Sequence, residues 1–157
     1  MSEKILVAYF SCSGRTEKIA KAISDITGGD LYEIKPVIPY SNADLNWMDK
    51  NSRTTKEKDD RSIRPEIVKD LNIEGYDTIY VGFPIWWYIE PNIINTFIES
   101  YNFSNKTIIP FCTSGGSNVG KTDINLHESC KNANWKPAKL LNGMNKEDIK
   151  NWIERGY

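Results

Sequence analysis

The sequence predicts an α/β protein, a three-layer sandwich built on a five-stranded parallel sheet of strand order 2-1-3-4-5. Three observations carry this. Short continuous apolar runs recur at strand length, the mark of strands buried on both faces. Segments with apolar residues at helical spacing lie between them. The strand–helix alternation continues to the end of the chain, which implies parallel pairing with helices on both faces. The 157 residues suit one domain, 1–157, with a single sizeable core.

The elements follow in order. KILVAYF is the first buried strand. Ile19, Ala20, Ile23 and Ile26 then mark a helix that Gly28 and Gly29 stop. LYEIKP is a shorter second strand, and DTIYVGFP a second buried run. Pro91 stands where helices start, and Ile94, Phe97, Ile98 and Tyr101 follow at i, i+3, i+4, i+7. KTIIPFCTS is the next strand, with irregular pairing expected at Pro110 because it lacks a ladder donor. Residues 118–132 read as a weak helix and WKPAKLL as a last strand. Asn145, with Asp148 three residues on, caps a closing helix striped by Ile149, Trp152 and Ile153. Residues 36–65 fit no element. They are long, polar and charged, and read either as a solvated excursion or as a flap over a site.

Composition excludes several functions. Lys and Arg number 20 against 21 Asp and Glu, for a net charge of −1. Neither the basic footprint of a nucleic-acid binder nor attraction to anionic membranes is expected. No apolar stretch approaches the ~20 residues of a membrane span. The start, MSEKILVAYF, does not read as a signal peptide. Cys12, Cys112 and Cys130 show no CxxC spacing, so a reduced, cytoplasmic chain is expected. His127 is the single histidine, and nothing near it in sequence completes a zinc site or a Ser-His-Asp triad.

Ligands of doubly wound sheets bind outside the carboxyl ends of the strands, where the strand order reverses. Three loops are therefore singled out. The first, SCSGRT, brings the hydroxyls of Ser11, Ser13 and Thr16, the permissive Gly14 and the guanidinium of Arg15 to a helix N-terminus. Such a terminus attracts phosphate. Cys12 in this loop suggests a cysteine phosphatase only superficially. That chemistry needs C-x5-R, and the position six residues after Cys12 holds Lys18. The second loop holds Pro84, Ile85, Trp86, Trp87 and Tyr88, whose rings suit a stacking platform for a flat ligand. The alternative is that one or two of them fold into the core. The third loop holds Thr113, Ser114, Gly115, Gly116 and Ser117, small residues that leave backbone N–H groups free to meet a ligand edge.

The third loop continues into GGSNVGKT, which satisfies the P-loop pattern G-x-x-x-x-G-K-[ST]. A nucleotide hydrolase also needs an aspartate at the end of another strand to hold Mg²⁺, and no candidate strand supplies one. Only residues 123–157 follow, too few for the usual core downstream. The hydrolase stays a remote alternative, with Lys121 expected in solvent.

Taken together, S-x-S-G-x-T, P-I-W-W-Y and T-S-G-G-S resemble, in order and spacing, the three cofactor loops of flavodoxin-like FMN proteins. The 36–65 excursion resembles a bacterial branch of flavodoxins or flavoproteins. The resemblance implies a flavodoxin-like fold and a non-covalent FMN. It implies that Ser11, Cys12, Ser13, Gly14, Arg15 and Thr16 hold the phosphate. Pro84 to Tyr88 would line the flavin, and Thr113 to Ser117 would meet its pyrimidine side. It further implies an electron carrier working with a redox partner protein. The alternative is an FMN-dependent NAD(P)H reductase of quinones or similar flat acceptors. The low net charge gives little steering toward basic partners. The second loop lacks Gly and Asn, the residues that best accept positive φ, so a redox-linked peptide flip is not expected there. That tilts the expectation toward two-electron chemistry. Tyr88 or His127 could donate a proton and Arg53 and Arg64 could bind an anionic substrate, although a surface or core role for the first two and solvated arginines are the simpler readings.

Overall fold

The computed structural model describes residues 4–12, 14–46, 48–114 and 120–155. Six strands form the sheet: β1 (Ile5–Tyr9), β2 (Asp30–Glu33), β3 (Thr78–Pro84), β4 (Thr107–Thr113), β5 (Asn134–Trp135) and β6 (Lys139–Leu140). Their order is β2-β1-β3-β4-β5, with β6 also on β4, and every pairing is parallel. The helices are α1 (Arg15–Thr27), α2 (Arg53–Asp59), α3 (Asn92–Ser100), α4 (Thr122–Ser129) and α5 (Lys146–Arg155).

Successive side chains of a strand point to opposite faces, so each buried run feeds two cores. Leu6, Ala8, Ile79, Val81 and Phe83 meet Ile93 and Phe97 of α3 and Leu126 of α4 on one face. Val7, Tyr9, Tyr80 and Phe111 meet Ile19 and Ile23 of α1 and Ile149 of α5 on the other. Both layers are needed because the central strands expose no polar face to water. Gly28, in the left-handed region at φ 74°, closes α1 by donating its N–H to Ser24. At α5, Asn145 and Asp148 exchange backbone-to-side-chain bonds in the expected capping box.

The expected last strand appears as two short pieces, and Pro110 explains why. Pairing of β3 with β4 runs unbroken through Val81 opposite Pro110. On the other edge of β4, Lys136 N–H reaches Ile108 O and Leu141 N–H reaches Cys112 O. A parallel strand turns the N–H and C=O of one residue to the same side, so Pro110 directs its missing donor at this edge. The ladder fails between β5 and β6, where Pro137 also stands. The irregularity therefore falls on the edge strand, and β4 itself keeps its register.

Residues 36–65 depart from the expectation of a solvated excursion. They contain α2, whose Ser52 cap accepts the Thr55 N–H at 3.4 Å. Ser52, Thr54, Thr55 and Glu57 are buried. Residues on either side of the excursion are joined by an antiparallel bridge, Pro36 with Ile67, which closes its base.

Gly82 sits opposite Phe111 in the ladder, and a Cβ there would overlap the Phe111 ring. Phe111 is fully buried and has no room to retreat. Gly82→Ala is expected to destabilise the fold by about 1–3 kcal/mol through overpacking. Urea unfolding reads this directly. Combining it with Phe111→Leu should recover part of the loss, since the two residues share the contact.

Candidate functional site

The loops after β1, β3 and β4 converge at the carboxyl edge of the sheet, tied by specific bonds. Thr16 and Thr113 hydroxyls lie 2.8 Å apart, both buried. Ile85 donates its N–H to Thr113 O at 2.7 Å. Arg15 Nη1 reaches Ser114 O at 3.3 Å. Asn142 clamps Ser114 from behind, accepting its N–H at 2.8 Å and donating to its carbonyl. The first loop turns on Gly14 at φ 86°, with its N–H on Ser11 Oγ at 3.0 Å. Gly14 is also the N-cap of α1, and among the described residues no side chain caps that helix end. The leading amides of α1 therefore head toward the crevice as a positive pole. Cys12 is exposed, yet the packing around its sulfur raises the thiol to about 11, with Arg53 opposing. A thiol protonated at neutral pH is a poor nucleophile.

The second loop is a tight hairpin. Trp86 and Ile89 exchange backbone bonds at 3.0 and 3.3 Å around Trp87 and Tyr88. Both central residues lie in the left-handed region, at φ 54° and 64°. This is the type I′ geometry, which glycine and asparagine ordinarily supply. The turn thus holds positive φ without Gly or Asn, on two bulky residues. Each costs about 1–2 kcal/mol there. The turn is held from the third loop. Lys121 donates its N–H to Tyr88 O at 3.0 Å, and a Cβ on Gly120 would overlap that same carbonyl. The Gly-Lys-Thr of the P-loop match is accounted for in this way. Gly120 admits the Tyr88 carbonyl, Lys121 is exposed at the start of α4, and Thr122 is fully buried.

The three rings of the turn separate. Trp86 packs inward, edge-on to Phe10 at 5.8 Å and to Tyr40 at 5.8 Å. Trp87 is half-buried beneath the Lys58 ammonium, 5.2 Å from its ring. Tyr88 is 59% exposed. Ile85 joins the core, and Pro84 is half-buried at the end of β3. Ser13, Gly115, Gly116 and Ser117 lie outside the described residues, as does Trp47.

A buried polar network under this turn was not expected from the sequence. The Glu90 side chain is wholly buried. Arg61 Nη2 donates to its carboxylate at 3.1 Å and to its carbonyl at 2.9 Å, and Asn125 donates to the same carboxylate. Burial pushes the Glu90 carboxyl up, opposed by Asn125 and Arg61. Asn92 Nδ2 gathers the carbonyls of Glu57, Asp60 and Ile63, pinning the excursion to the first turn of α3. Arg64 forks onto Glu99 at 2.8 and 3.1 Å. The reading of Arg53 and Arg64 as solvated gives way to paired arginines. One signal was available: Asn92 and Asn95 stand three apart on an otherwise apolar helix face, directly after Glu90-Pro91. Buried polar groups at that spacing call for partners. His127 lies against the Trp135 ring at 5.1 Å.

Comparison with known proteins fixes the relationship. A sequence profile described as Flavodoxin matches residues 4–156. The chain belongs to the flavodoxin family. A Bacteroides uniformis protein described as a flavoprotein is 46% identical, covering 98% of this chain and 99% of its own, with a TM-score of 0.93. One from Bacteroides eggerthii, described likewise, is 44% identical over 98% of both chains, also at 0.93. A Lactobacillus acidophilus flavoprotein solved in complex with FMN shares the fold, at 23% identity over 97% and 99% of the chains and a TM-score of 0.74. No curated protein matches the chain. Among the described residues of this flavodoxin, no helix is long and apolar enough to cross a membrane, and no cluster could hold a metal.

Two outcomes test this geometry. Tyr88→Gly removes the left-handed strain at an exposed side chain. It should stabilise the ligand-free protein by up to about 1 kcal/mol, the relief exceeding the added chain entropy. A loss in urea midpoint would contradict the strain. Glu90 supplies a pH test. Its folded pKa lies above the ordinary 4.5. The folded state therefore holds the proton more tightly, and stability falls as pH rises from that ordinary value through the folded one. Glu90→Gln removes this component. The wild-type advantage over Glu90→Gln should shrink as pH is raised from about 4 toward 7, the range above the ordinary carboxylate value. Parallel stability curves would refute the assignment.

Proposed function

We propose that this flavodoxin binds FMN non-covalently in the crevice between its three loops and transfers electrons through it. The single observation that carries the reading is the N-terminus of α1, which no side chain among the described residues caps. It is opened by Gly14 at positive φ and lies at the carboxyl edge of β1. That donor set fits a phosphate monoester: helix amides, the Ser11 hydroxyl and a nearby guanidinium. The Lactobacillus acidophilus relative of the same fold, solved with FMN, supports the choice of ligand.

The residues proposed to hold the cofactor are those of the three loops. Ser11, Cys12, Ser13, Gly14, Arg15 and Thr16 serve the phosphate. Pro84 to Tyr88 and Thr113 to Ser117 serve the ring. Within this set, Thr16 and Thr113 act on each other, and Arg15 acts on Ser114. They shape the crevice by joining its walls. The strained Trp86–Ile89 turn keeps the Trp87 and Tyr88 backbone fixed at its rim, because Gly120 and Lys121 hold the Tyr88 carbonyl. Bound FMN would supply the hydride and electron chemistry, and the protein sets its orientation and potential.

An electron carrier serving a protein partner is the first reading. A reductase that takes hydride from NAD(P)H and passes electrons to a quinone or similar flat acceptor is the second. It is favoured by the net charge of −1, which offers little attraction to a basic protein partner. Purified protein should take up one FMN and show a flavin visible spectrum. Stopped-flow mixing with NADH and NADPH then separates the readings. Rapid bleaching supports the reductase, and flavin reduced only by dithionite or a protein reductase supports the carrier. A protein that takes up no FMN sinks both.

A further inference from the structure

We propose that Arg53, carried in by the 36–65 excursion, binds the FMN phosphate; this rests on the FMN reading above. Arg53 opens α2, and its guanidinium is fixed on several sides. Nη1 donates to Ile38 O at 2.7 Å, and Nε donates to Glu57 at 3.2 Å. Asp44 stands 4.0 Å from Nη1. The guanidinium carbon lies 3.8 Å from the Tyr40 ring centre. Tyr40 is itself locked, with its hydroxyl on Glu57 at 2.7 Å and its ring against Phe10 at 5.6 Å. Phe10 follows β1 directly and stands two residues before Cys12. The stack thus sits beside the phosphate loop, and the charge of Arg53 is felt at the Cys12 thiol.

The other arginines of the excursion are engaged elsewhere, Arg61 with Glu90 and Arg64 with Glu99. The Arg53 side chain is only 23% exposed, and among the described residues no protein acceptor takes its Nη2 hydrogens. Both carboxylates lie on Nε and Nη1, so the Nη2 edge is left to a ligand. A guanidinium held this way has already lost its rotamer entropy. It complements a phosphate dianion, whereas the isoalloxazine ring offers it no comparable charge.

Comparing FMN with riboflavin isolates the phosphate, because the two differ only there. Dissociation constants for both are measured by quenching of flavin fluorescence at one ionic strength, for wild type, Arg53→Gln and Arg53→Lys. Arg53→Gln should weaken FMN by about 10- to 100-fold, the usual range for a charge-assisted bond, and leave riboflavin within about twofold. Arg53→Lys should fall between, keeping the charge but not the fork. It also carries the test if near-UV circular dichroism shows Arg53→Gln to be misfolded. Equal losses for the two flavins, or no loss for FMN, overturn the assignment. Wild-type protein that binds neither flavin overturns the cofactor reading, and the assignment with it.

Discussion

Thr113 is the joint on which the site depends. It ends β4, and three loops meet through it: its carbonyl takes the Ile85 N–H of the second loop, and its hydroxyl meets Thr16 of the first. The next residue, Ser114, is gripped by Arg15 and Asn142. Placing Thr113 there is the work of the β3–β4 ladder, whose seven paired residues run from Thr78 and Thr107 to Pro84 and Thr113. A slip of one residue would turn the Thr113 side chain to the opposite face of the sheet and break the tie to Thr16. Register therefore fixes site geometry, and the two buried cores fix register.

The second loop shows how strain is held in place. Trp87 and Tyr88 occupy backbone conformations that their side chains disfavour. Such residues persist only where the surroundings over-determine them. Here the surroundings are identifiable. Trp86 is anchored among Phe10 and Tyr40, Glu90 is anchored by Arg61 and Asn125, and Gly120 with Lys121 seats the Tyr88 carbonyl. The hairpin is pulled taut between two fixed ends. A glycine pair could form the same turn with less strain but would give up the rings it presents.

The sheet, its order and the positions of the three loops were legible in the sequence because they depend on apolar periodicity and punctuation. KILVAYF, DTIYVGFP and KTIIPFCTS each became a strand close to the expected bounds. What escaped were features set by partners distant in sequence. Glu90 is a buried acid only because Arg61 and Asn125 arrive beside it. The positive φ of Trp87 and Tyr88 could not be inferred from residue type, since local preference argues against it and tertiary contacts prevail. GGSNVGKT matched a phosphate-binding pattern, but Gly120 is small for the sake of a neighbouring carbonyl.

The excursion makes the same point from the other direction. A run rich in Lys, Arg, Asp and Glu suggests solvation, because burying an unpaired charge is costly. Pairing changes the outcome. Arg53 with Glu57, Arg61 with Glu90 and Arg64 with Glu99 each set a cation of the excursion against a carboxylate. Asn92 adds a hub of three carbonyl bonds at the start of α3. Two of the carboxylates, on Glu57 and Glu90, are pushed up by burial, so desolvation there is incompletely offset by the pairing. Such pairs contribute little net stability, yet those to Glu90 and Glu99 reach outside the excursion and specify one docked position. A segment that binds by geometry more than by apolar area can deliver Arg53 and Tyr40 to the same place beside the loop after β1. An apolar flap of equal length would cover the crevice but would bring no charge to it.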